Sequence, residues 1–90
     1  MDILKLLNED GKVFRWPKKK EEKIAVLIYL NTKFEEGKEY SENEVNELIN
    51  KWHSFKDYAL LRREMFDNYL LERTKDGKKY WIENRKESEQ

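Results

Sequence analysis

Residues able to do covalent chemistry are scarce in this chain. It has no Cys and one His, His53. Nucleophilic catalysis needs a nucleophile, a base and an orienting group held together. His53 and Ser54 are sequence neighbours, not a triad. The expected place of His53 is the end of a helix, where a cation or a ring donor suits the terminal carbonyls. A metal site needs several ligands of the right type. Glu35, Glu36, Glu39, Glu42, Glu44 and Glu47 are clustered, but they lack the calcium-loop pattern of alternating acids around a Gly. They read as a solvated acidic face that also favours a helix N-terminus. The three Gly are scattered, so no phosphate-cradling loop is present. Nothing selects a carboxylate pair for acid–base work. The sequence reads as a non-enzyme with no catalytic residue, no cofactor and no metal.

Binding chemistry is better represented, through the distribution of charge. Lys and Arg equal Asp and Glu at 19 each. That balance counts against a protein that coats nucleic acid by charge alone. Locally it breaks down. Lys12, Arg15, Lys18, Lys19, Lys20 and Lys23 crowd one stretch against Glu21 and Glu22. The six Glu from Glu35 to Glu47 face Lys38 alone. Lys56, Arg62 and Arg63 fall on what reads as a third helix, and Lys75, Lys78 and Lys79 on a hairpin. A DNA-binding helix-turn-helix sends its second helix into the major groove, with residues near its N-terminus at the base edges. These six residues are the candidate double-stranded DNA contacts. Lys56 and Arg63 are expected opposite an apolar stripe, and Arg62 at its edge. Arg suits bidentate contact with guanine, and the hairpin Lys would meet phosphates.

Each candidate has a plainer reading. Arg62 and Arg63 could pair with Glu64 or Asp67, or lay their stems on aromatics. Asp67 on a solvent face would oppose a phosphate backbone. Lys at a hairpin tip also guards an exposed edge against aggregation. The alternative function is a protein-interaction adaptor or homodimer, since a neutral, charge-segregated surface suits pairing. Trp16, Trp52 and Trp81 could stack single-stranded bases. In a small domain they are expected in packing instead, with Trp16 fastening an N-terminal arm.

The positioning elements follow from pattern and punctuation. Met1 to Leu7 can form a short helix, and Asp10-Gly11 a turn. Pro17 suits a first helical turn. Lys18 to Phe34 has no Gly or Pro, and Ile24, Leu27, Ile28 and Phe34 fit a helical stripe. Ser41 and Glu44 match a capping box, opening a second helix over about Glu42 to Lys51 with Val45, Leu48, Ile49 and Trp52 at helical spacing. Ser54 and Asp57 suggest another cap. Tyr58, Leu61, Met65 and Tyr69 make the stripe of a third helix, about Lys56 to Leu70. Leu71 to Thr74 and Lys79 to Glu83 read as strands about an Asp76-Gly77 turn, with Tyr80 and Ile82 on one face and Trp81 on the other.

That order gives an α+β, mostly helical fold: a winged helix-turn-helix with a three-helix core and a C-terminal hairpin wing. The expected organisation is an arm or short helix over 1–17, the winged helix over 18–83 and a flexible tail over 84–90. A chain of 90 residues suits one domain. A content of 13% aromatic residues separates the 42% charged chain from disordered sequences. No apolar run approaches about 18 residues, so no membrane role is expected. The N-terminus lacks the pattern of a signal peptide, and the cytoplasm is the expected location.

The residues also carry a resemblance. Trp16-Pro17 with Lys18 to Lys20, then Phe34, Gly37, Tyr40-Ser41-Glu42, Glu44-Val45-Asn46, His53, Asp57, Leu61-Arg62-Arg63, Leu71, Arg73, Gly77 and Tyr80-Trp81 stand in order. This series resembles a bacterial domain-of-unknown-function family, DUF2087, whose domains occur alone or appended to ArsR-type helix-turn-helix regulators. The likeness spans Asp10-Gly11 to Trp81. Asn68 departs from it, since a small residue, often Gly, is expected there. The resemblance implies a winged helix and a loose association with transcription, and no established activity.

Overall fold

The computed structural model describes residues 3–83; the expected tail, 84–90, lies outside them. A 3₁₀ turn, Ile3–Leu6, leads into an extended arm. Three helices follow: α1 (Lys20–Asn31), α2 (Glu42–Trp52) and α3 (Tyr58–Asp67). Strands β1 (Glu72–Arg73) and β2 (Tyr80–Trp81) pair antiparallel, with Glu72 opposite Trp81 and Arg73 opposite Tyr80. Tyr40, just before α2, forms a further bridge to Tyr80 through two backbone hydrogen bonds of 2.8 and 2.7 Å. This is the arrangement of a winged helix: three helices, then a hairpin anchored to the segment between α1 and α2.

Local chemistry explains the firmest boundaries. At α2 the Glu44 N–H donates to Ser41 Oγ (3.1 Å) and the Ser41 N–H to Glu44 Oε1 (2.8 Å), so the capping box is complete. In the wing, Gly77 takes φ +72° and its N–H closes a turn onto the Thr74 carbonyl. Asp76 Oδ1 accepts from the Thr74 hydroxyl and the Lys78 N–H, which locks the loop from within. Only Gly77 has positive φ in this turn, so the hairpin is a longer loop than the two-residue type that Asp-Gly suggests.

Three expectations need correction. First, α1 starts at Lys20, not Lys18, because Pro17 is fully buried as part of the entering extended chain. Its inner face is Val26, Leu27 and Leu30, while Ile28 is 49% exposed. The run from Ile24 to Leu30 is apolar on every side, so its periodicity does not fix which side faces inward. Second, α3 is shorter than expected. Asp57, not Ser54, caps it through the Leu60 N–H; the Ser54 N–H is bonded to the Val13 carbonyl instead. Third, the α3 stripe reduces to Leu61 and Met65. Tyr58 and Tyr69 are exposed. Tyr69 sits past the helix end at φ +61°, and the turn there returns Leu71 to the core.

The arm is built into the same core. Leu6 and Val13 are fully buried among α-helical Leu27, Ile49 and Leu61. Val13 bridges the α2–α3 turn: its N–H donates to the Trp52 carbonyl and its carbonyl accepts from the Ser54 N–H, both at 2.9 Å. Gly11, at φ +77°, lies 3.5 Å from the Tyr29 hydroxyl and 3.6 Å from the Trp52 ring as measured from an ideal Cβ position. Trp16 and Trp52 are half-buried, each under a lysine: Lys23 over Trp16 and Lys33 over Trp52. Trp16 and Trp52 thus serve packing positions against the core, while Trp81 is half-buried on the wing, where its indole N–H donates to Glu83 Oε2.

Candidate nucleic-acid interface

The α2–α3 turn depends on His53. Its buried ring places Nδ1 2.8 Å from the Ile49 carbonyl, and the Asp57 N–H donates to Nε2 at 2.9 Å. One nitrogen must donate and the other accept, which requires the neutral ring with the proton on Nδ1. Phe55 meets it edge-on at 4.8 Å. The ring therefore links the last turn of α2 to the residue that caps α3.

Beside this turn is a shallow cleft of about 500 Å³, lined by Lys12, Asn50, His53, Ser54, Lys56 and Tyr58. Lys56 precedes α3 rather than lying on it, and holds φ +59°. It is exposed and has no ion-pair partner among the described residues. Lys12 joins it because the arm pairs with the turn, a proximity that no sequence pattern announces.

A second cleft, of about 520 Å³, separates α3 from the wing. Arg62, Arg63 and Arg73 line it, with Glu42, Asp67 and Asp76. The two predicted arginines differ sharply. Arg62 donates through Nη1 to Asn46 Oδ1 and lies 3.9 Å from Glu42 Oε2, with its side chain 22% exposed. It is engaged in holding α3 to α2. Arg63 is 83% exposed and meets Asp67, one helical turn on, at 3.7 Å. An exposed pair of that kind holds its partners loosely.

In the wing, Lys75 and Lys78 are exposed and without ion-pair partners among the described residues. Lys79 lies 3.5 Å from Glu39. Asp76 has its pKa lowered, first by the Thr74 hydroxyl and then by the Lys78 N–H. Tyr80 has its pKa raised, first by burial and then by the nearby Glu42 carboxylate. Arg73, outside the predicted set, places its guanidinium 4.7 Å from the Phe66 ring centre. Its partner lies seven residues earlier, across the left-handed turn at Tyr69, which no local motif encodes.

The structure thus gathers Arg63 and the wing around one cleft, sets Lys56 beside another, and ties Arg62 and Lys79 to carboxylates. No cluster of metal-ligand type occurs among the described residues, and none of their helices is long and apolar enough to cross a membrane. A family model described as an uncharacterized protein conserved in bacteria, DUF2087, matches residues 12–82. No curated protein and no solved structure matches the chain.

Proposed function

The chain belongs to that bacterial family, and on this premise we propose that it is a non-enzymatic, cytoplasmic winged-helix module that binds double-stranded DNA in transcription regulation. The observation that carries this reading is the set of exposed cationic ends on the α2–α3 turn, α3 and the wing: Lys56, Arg63, Lys75 and Lys78. In this reading Arg63 meets the groove and the three Lys meet phosphates. Three neutralised phosphates give a slope of about −2.7 for log K against log salt, so a fourfold rise in salt weakens binding about 40-fold. The test is fluorescence anisotropy with a mixed-sequence duplex at low and moderate salt. Wild type should bind with that slope, and Arg63→Glu with Lys75→Glu should abolish binding. Unchanged affinity in the double variant removes the reading.

One observation favours the second reading, a protein adaptor. Glu42, Glu44 and Glu47 are exposed along α2, and Glu42 also lines the α3–wing cleft. Such a face repels phosphate and suits a basic protein surface, including the Lys18–Lys20 segment of another copy. A sedimentation mass equal to the monomer at high concentration excludes self-pairing.

A further inference from the structure

We propose that Arg73 is the phosphate-receiving cation of the α3–wing cleft, held ready by Phe66. The proposal deepens the DNA reading and rests on it for the source of the phosphate. Among the arginines lining the cleft, Arg62 is taken up by Asn46 and Glu42, and Arg63, loosely paired with Asp67, is the groove contact of that reading. Arg73 alone of the three has no carboxylate within ion-pair distance among the described residues. Its guanidinium is nonetheless restrained. It lies over the Phe66 ring, and Nη1 reaches the Thr74 and Lys75 carbonyls at 3.2 and 3.4 Å.

Those contacts are weak and exposed, and they restrict the side chain without neutralising it. A guanidinium braced on a ring loses less freedom on binding than a free one, and its planar fork suits two phosphate oxygens. Gly77 lies beside it: a Cβ placed there would make ordinary van der Waals contact with Arg73 Nη1, at 3.8 Å. The Asp76 carboxylate, also at the cleft, is turned to the hairpin's own donors, the Thr74 hydroxyl and the Lys78 N–H. Arg73 is exposed, so its replacement should leave the fold intact.

The experiment titrates labelled wild type, Arg73→Gln and Arg62→Gln with a short mixed-sequence duplex across salt, and separately with inorganic phosphate. In Arg73→Gln duplex affinity should fall about tenfold, and the salt slope should lose about one unit. Arg62→Gln should lower stability and leave the slope unchanged. Phosphate should move the Arg73 Nε–H and Phe66 ring signals of wild type. Duplex binding by Arg73→Gln at wild-type affinity and slope overturns the proposal while the DNA reading stands. Failure of wild type to bind duplex at low salt removes the DNA reading. The site then stands if phosphate moves Arg73 and falls if it does not.

Discussion

Replacing Leu6 by Ala tests whether the arm belongs to the domain. Leu6 is 0% exposed and lies in the same cluster as Leu27, Ile49 and Leu61. Truncation of a fully buried Leu costs about 2–5 kcal/mol, and about 3 is expected here. A domain of this length has about 5–14 kcal/mol of stability in all. The loss should lower the thermal midpoint by about 12–24 °C, at roughly 4–8 °C per kcal/mol. Leu4 is the internal control. It lies in the same 3₁₀ turn at 70% exposure, so Leu4→Ala should stay within about 0.5 kcal/mol of wild type. Calorimetry gives the midpoints, and urea unfolding at constant m confirms that stability alone has changed. The effect should also reach the α2–α3 turn. Leu7 pairs with Val13, whose N–H and carbonyl hold Trp52 and Ser54, so amide exchange at Val13 and Ser54 should quicken in Leu6→Ala beyond the global loss. Equal midpoints for Leu6→Ala and Leu4→Ala would refute the packed arm.

Two further perturbations follow from the wing and the end of α3. Tyr80 has a raised pKa, from burial first and Glu42 second. Its phenol is neutral in the fold, so its stabilising contribution is complete below the ordinary value of 10.0 and is lost as pH rises through the folded value. Absorbance titration should show the Tyr80 ionisation late, moved towards the ordinary value but not restored by Glu42→Gln. No movement on that substitution would mean that burial alone sets it. Tyr69→Gly should raise stability by about 0.5–1 kcal/mol, because Tyr69 holds φ +61° with its ring 81% exposed. The left-handed penalty of an L-residue then exceeds the added freedom of Gly in the unfolded chain. Destabilisation measured by urea unfolding would show that the Tyr69 ring does packing work.

The parts legible in the sequence are those that local chemistry decides. Ser41 and Glu44 announce α2 because both partners of the cap lie within four residues. Asp76-Gly77 announces the wing for the same reason. The ends of α3 were not legible. Nothing in the sequence marks Tyr69 as a left-handed residue, and the family-like expectation of a small residue falls on Asn68, which instead caps the helix by donating to the Glu64 carbonyl. The phase of α1 was hidden by an apolar run with no polar side to orient it. At the candidate site, composition found the cations but not their partners. Arg62 looks like Arg63 in sequence. It differs because Asn46, sixteen residues earlier, faces it across the α2–α3 packing.

That difference gives a way to read a surface whose net charge is zero. A charge that serves the fold says little about a partner. Glu44 completes a cap, and Glu42 sits in the first turn of α2, where a carboxylate favours the helix dipole. Glu39 and Glu35 pair with Lys79 and Lys38, and Arg62 joins α3 to α2. Much of the acidic excess around α2 thus has a reason inside the molecule. Lys56, Lys75 and Lys78 have none among the ion pairs of the described residues, and Lys56 keeps its place despite a left-handed backbone that Gly, Asn or Asp would adopt more easily. Lys18, Lys19 and Lys20 are exposed at the start of α1, where cations oppose the dipole. Charge held against local preference is the part of the surface that folding does not explain. The DNA reading accounts for the group on the turn and the wing, and leaves the α1 group for a second contact, with the duplex flank or with another protein.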